Sequence, residues 1–214
     1  MGIFPERKFL LRATVLFVAY CVTAHLGLRL AIVHPSATAV WAPTGIAIAA
    51  FLIGGVRLWP AVFLAAFLVN MNTLGSVATC VGIAAGNTLE GLVAAGLVQR
   101  FAGGRHALAT AEHFFKFTLF AALFAPLIRA TIAVTSQALG GFAPWEDYHS
   151  IWLTWWFGDM AGALVVAPLL LTWTSTPLFS MPYGRWAEFA AMIASLIFTG
   201  LIVFGDFLVP GELH

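Results

Sequence analysis

The sequence predicts an all-α membrane protein: a polytopic helical bundle with about seven spans in this chain. Three observations predict it. Of 214 residues, 61% are hydrophobic and only 9% are charged, with mean hydropathy +0.95; a soluble domain carries about 25% charged residues. Apolar runs long enough to cross a bilayer recur along the whole chain. Lysine and arginine also segregate to one side once those runs are drawn as spans. A net charge of +1 gives no basis for a nucleic-acid partner.

A spanning helix needs about 20 apolar residues, with a range of about 17–25. The runs lie at roughly 9–31, 38–54, 57–72, 76–99, 113–138, 150–173 and 186–208. The first follows the charged start MGIFPERK, but it is too long for the apolar region of a signal peptide. Gly2 lacks the Ser/Thr pattern of a myristoylation site. The second and third are short and joined by GGVR (54–57), so they read either as two thin helices or as a re-entrant pair. The fourth contains Asn87 and Glu90, the fifth Pro126 and Arg129. The sixth, Trp152 to Trp173, carries one acid, Asp159. Small residues four apart (Ala61 and Ala65, Gly82 and Gly86, Gly158 and Gly162) let helix backbones approach closely. Cys21 and Cys80 lie in apolar runs without metal-ligand spacing and read as small buried residues.

With the N-terminus in the cytoplasm, Arg7, Lys8, Arg12, Arg57, Arg100, Arg105, Lys116 and Arg185 fall on the inner side. The opposite side then holds Arg29 near a helix end and the acids Glu146 and Asp147. Seven spans leave VPGELH outside, an odd count for a protein that controls something in the cytoplasm. Residues 1–214 are therefore read as one integral membrane domain, a fragment lacking a last span and an output region.

The polar residues within the spans are the candidate site, because an intramembrane charge is costly and needs a partner or water. Arg129 and Asp159 each lie about nine residues from the outer end of antiparallel neighbouring spans, at matching depth by helix rise. They form the natural ion pair, serving either as a bolt between helices or as a pair that also binds something. Asn87 and Glu90 are three apart and share a helix face. They read either as an interhelical clamp with Glu90 protonated or as ligand contacts. Pro126 removes a backbone hydrogen bond three residues before Arg129. Thr44, in WAPTG (41–45), follows a helix-starting proline and can turn a hydroxyl inward. Trp41 suits either interfacial anchoring or stacking on a ligand. Trp155 and Trp156 lie one turn outward of Asp159 and either roof a pocket or anchor the helix. His25, about six residues from the outer end of the first span, reads as a packing residue, with haem or metal ligation the other option. No nucleophile–base set, phosphate loop or paired catalytic carboxylate motif is present, so the chain reads as no enzyme.

Four stretches together resemble the first-type membrane-associated sensor domain, the MASE family of bacterial signalling proteins. They are WAPTGIAIAAFLIGGVRLWPAVFLAAFLVN (41–70), GNTLEGLVAAGLVQR (86–100), LFAPLIRATIAV (123–134) and WWFGDMAGALVVAPLLL (155–171). The resemblance covers most of the chain. It places the family's motif on Trp41, Pro43, Thr44, Gly45, Gly55, Arg57, Trp59, Pro60, Asn70, Gly86, Asn87, Glu90, Pro126, Arg129, Gly158, Asp159 and Pro168. It implies a sensory domain of about eight spans in the bacterial cytoplasmic membrane. Such a domain precedes a histidine kinase, diguanylate cyclase or related output, and the outputs act as dimers, which implies a homodimer.

The expectation is thus a sensor that binds a small-molecule ligand or a membrane-protein partner within the bundle. Its pocket is lined by Asn87, Glu90, Arg129 and Asp159, with Thr44, His25, Trp155 and Trp156 as additions. The cofactor is unknown, and the charge of the ligand is open, since Arg129 favours an anion and the two acids a cation. The rival readings are a transport or substrate-capture component, a partner-docking module and a haem sensor at His25.

Overall fold

The computed structural model describes residues 4–29, 40–74 and 76–175. The expected last span, 186–208, lies outside them. Among the described residues the chain is all-helical: α1 (Phe4–Arg29), α2 (Ala42–Gly54), α3 (Trp59–Leu74), α4 (Val77–Phe101), α5 (Ala111–Phe117), α6 (Ala125–Leu139) and α7 (Tyr148–Ser175). A 3₁₀ turn, Val56–Leu58, leads into α3, and a π-helical stretch, Thr118–Phe124, joins α5 to α6. Five segments are long and apolar enough to cross a bilayer: Glu6–Arg29, Val56–Leu74, Val77–Phe101, Ala111–Leu139 and Trp145–Thr174. This is an integral membrane protein, with a compact unit reaching Thr172.

The chain marks most of its own boundaries. Ser76 caps α4 by accepting the Thr79 N–H at 3.4 Å, and Thr110 caps α5 by accepting the His113 N–H at 3.2 Å. Pro43 sits in the first turn of α2, where its missing N–H costs nothing. Gly55, at φ 93°, ends α2 and turns the chain straight into the next helix. The end of the bundle carrying Arg57, Arg100, Arg105 and Lys116 is called the basic end below.

The second expected span, 38–54, is not a full span. Helix begins only at Ala42 and runs 13 residues, about 20 Å, short of the roughly 30 Å hydrocarbon core. Its start lies deep in the bundle, because the Trp41 N–H donates to the Gly158 carbonyl (2.8 Å), ten residues into α7. α2 is thus a half-helix running from the middle of the bundle to the basic end.

α4 is the central element and packs against α2, α3 and α6, while α1 covers α2 and α3. On the long helix ending in α6, burial recurs every four residues: Phe117, Ala121, Ala125, Arg129, Ala133 and Gln137. A four-residue ridge is the pattern that packs helices at a steep crossing angle. Two apolar cores result. One gathers α1–α4 around Tyr20, Ile48, Val62 and Val98; the other gathers Ile83, Ala133, Val134, Ile151 and Trp155. Leu11, Val15, Val18 and Val22 of α1 are exposed, as suits residues facing lipid.

At the α2–α7 crossing, backbone meets backbone. A Cβ on Gly45 would collide with the Gly162 carbonyl and lie 2.7 Å from Val166 Cβ; one on Gly162 would collide with the Trp41 carbonyl. Gly96 of α4 meets nothing within 4 Å. Gly162→Ala is therefore expected to lower the melting temperature of the purified protein by several degrees, while Gly96→Ala leaves it unchanged or raises it. Equal melting temperatures for the two variants would contradict the crossing.

Candidate functional site

Where α2 begins, five helices bring polar side chains together. Thr44, in the first turn of α2, reaches α4 and α7 at once: its Oγ1 lies 3.1 Å from Glu90 Oε2 and 2.9 Å from Asp159 Oδ1. The close approach of Gly45 to Gly162 makes this double reach possible. Arg129 of α6 donates from one terminal nitrogen to Asp159 Oδ2 and from Nε to Asn87 Oδ1 at 2.9 Å. Tyr20 of α1 donates to the same Asn87 oxygen at 2.8 Å, and Asn87 returns its amide N–H to the Ile83 carbonyl.

These residues are buried: Asp159 is 0% exposed, Glu90 1%, and Asn87, Arg129 and Thr44 4% each. The guanidinium carbon of Arg129 lies 4.6 Å from the ring centre of Trp155 and 5.3 Å from that of Trp41. Both are cation–π distances, and such contacts strengthen when desolvated. Trp41 belongs to the first apolar core and Trp155 to the second, so the cation is seated where the two cores meet. Two polar atoms around it are buried without a hydrogen-bond partner: Glu90 Oε1 and Trp155 Nε1.

Of the residues expected to line the pocket, Asn87, Glu90, Arg129, Asp159, Thr44 and Trp155 do come together. His25 does not: it is exposed on α1, where its Nδ1 bonds the Cys21 carbonyl at 2.8 Å. α1 buries the stripe Leu16, Tyr20 and Ala24 instead, and His25 falls off that stripe. Trp156 also turns away, donating to the Leu123 carbonyl at 3.0 Å and stacking on Trp152. That carbonyl lies in the π stretch just ahead of Pro126, so the disturbance expected from the proline takes the form of non-α winding. Trp41 is buried with its ring against the Arg129 guanidinium, an intramolecular contact that neither expected role named. Tyr20 was missed; its signal was a phenol in the otherwise apolar run VLFVAYCV. Gln137 was also missed. It is fully buried with both amide atoms unpartnered, but it bonds none of the cluster residues.

The fold and the site define a class, an integral membrane bundle with a charged core and no catalytic motif among the described residues. Residues 11–210 match the family of MASE1, the membrane-associated sensor domain. The chain belongs to that family, which is a sensory rather than a catalytic domain. No curated protein and no solved structure matches it.

Removing one partner of a buried ion pair strands the other charge and costs about 3–5 kcal/mol. Arg129→Ala and Asp159→Ala are each expected to destabilise the protein by about that amount, with the double variant well short of the sum. Exchanging the two residues should restore stability only in part, because Asn87, Thr44 and both tryptophans are placed for the present arrangement. Equilibrium unfolding in detergent measures each term. Full additivity would show that the pair is not coupled.

Proposed function

We propose that this chain is the sensory portion of a bacterial inner-membrane signalling protein, with its N-terminus and basic end in the cytoplasm. The cluster around Arg129 responds to a ligand or a membrane partner. Its rearrangement regulates a cytoplasmic histidine kinase or diguanylate cyclase output. One observation carries this reading: a single buried guanidinium touches or is linked to α1, α2, α4 and α7 through Tyr20, Trp41, Thr44, Asn87, Asp159 and Trp155. A change at that point changes the relative positions of all these helices. The unpartnered atoms of Glu90 and Trp155 supply hydrogen-bonding capacity for what binds. Two packings a few kcal/mol apart, with different ligand affinities, suffice for a switch.

A transport role is the second reading, and α2 is the observation favouring it. Half-helices that start at mid-membrane beside charged groups are a transporter feature. Sensing is preferred because the chain belongs to a sensor-domain family.

In a full-length protein carrying its output domain, Arg129→Gln is expected to shift basal output several-fold at equal membrane abundance. Val15→Ala, on the exposed face of α1, should leave it unchanged. Output indistinguishable from wild type in Arg129→Gln would overturn the sensory role of the cluster. Solute flux in proteoliposomes would favour transport.

A further inference from the structure

We propose that Glu90 is a proton-binding site, and that one exchangeable proton on its carboxyl is a ligand of the cluster. The inference rests on the sensory reading and gives that site its ligand.

The hydrogen atoms of the cluster can be counted. Thr44 has one hydroxyl proton, yet carboxyl oxygens of both Glu90 and Asp159 lie within hydrogen-bond distance of it. With both acids ionised, one of those contacts holds two facing lone pairs and no hydrogen. A single added proton removes the conflict. Asp159 is not its seat, since Oδ2 accepts from Arg129 and Oδ1 is placed to accept from Thr44, the pattern of an ionised carboxylate. Glu90 pairs with no cation among the described residues, and its Oε1 is buried without a partner. A bare carboxylate oxygen is costly in such a place, and the carbonyl oxygen of a neutral acid much less so.

With the proton on Glu90, each of these side-chain contacts holds one hydrogen. Glu90 Oε2–H donates to Thr44 Oγ1, Thr44 O–H to Asp159 Oδ1, and Arg129 to Asp159 Oδ2 and Asn87 Oδ1. Tyr20 donates to Asn87 Oδ1 as well. The cluster is then neutral, with one cation and one anion.

The groups facing Glu90 are few. They are Tyr20 from α1, Trp41 from just ahead of α2, Thr44 from α2, Asn87 from its own helix, Arg129 from α6 and Asp159 from α7. α3 carries no titratable residue between Trp59 and Leu74. Arg129 is the one cation among them, and it bonds Asp159 and Asn87. Raising pH withdraws the proton into water, leaves two buried anions against one cation, and leaves Thr44 able to bond only one of Glu90 and Asp159, so one of the links from the start of α2 to α4 and α7 is lost. The proton is the only species exchanged.

Infrared spectroscopy of the full chain in lipid nanodiscs tests this. At neutral pH the wild type should show the carbonyl stretch of a protonated carboxyl, shifted when glutamate is carboxyl-¹³C-labelled. The band should be absent from Glu90→Gln, which mimics the protonated acid in shape. It should vanish as pH rises, and the melting temperature of the wild type should fall over the same interval while that of Glu90→Gln does not. No such band, a band unmoved by glutamate labelling, or one persisting to the pH at which the chain unfolds would each overturn the proposal. If Glu90→Gln does not fold, Glu90→Asp keeps the test decisive, since its carboxyl band should no longer move with glutamate labelling. Failure of the Arg129→Gln output assay with the infrared result intact would remove the sensory reading and leave the proton site standing.

Discussion

A guanidinium in the middle of a membrane protein must be surrounded, and the arrangement of this bundle follows from surrounding Arg129. Nothing in hydrocarbon can replace its hydration, so the protein supplies a carboxylate, an amide oxygen and two indole faces. These come from three segments of the chain besides its own helix: the start of α2, α4 and α7. Each has to arrive at the same depth, so the helices cannot slide past one another without stranding the charge. Lipid and helix surfaces are equally apolar, and apolar packing alone fixes register weakly. The polar layer fixes it instead, at the seam between two apolar cores.

The second requirement is steric. α2 reaches this layer only because Gly45 and Gly162 leave room for backbone against backbone. The short helix then brings its amino end to the acids. The positive end of its dipole, equivalent to about half an elementary charge, faces Asp159 and Glu90. It thereby supports the negative side of the cluster as Arg129 does, without adding another side chain to bury.

Much of this was legible in the sequence, and the parts that were not share a cause. Arg129 and Asp159 could be matched by depth, and Asn87 with Glu90 by their spacing, because charged and amide groups in apolar runs stand out. The family could be read from the four stretches that hold them. The facing of α1 could not be read. Residues toward lipid and residues toward the core are both apolar there, so periodicity distinguishes neither His25 as exposed nor Tyr20 as buried. Trp155 and Trp156 are each one turn from Asp159, and adjacency in sequence does not say which ring turns inward. Hydropathy likewise sees α2 as a weak span, since it measures composition and not the depth at which a helix starts.

The four-residue burial of the Arg129 helix has a geometric consequence. In a regular α-helix, residues four apart advance about 40° beyond a full turn, so five repeats between Phe117 and Gln137 would wind the buried stripe through about 200°. A straight helix wound in that way would present one end of its stripe to lipid. The π-helical residues Thr118–Phe124 fit more residues into each turn and hold back part of that rotation. They act as a phase correction. Because of them, a helix that must keep Phe117 inside at the basic end also points Arg129 at its anchors further along.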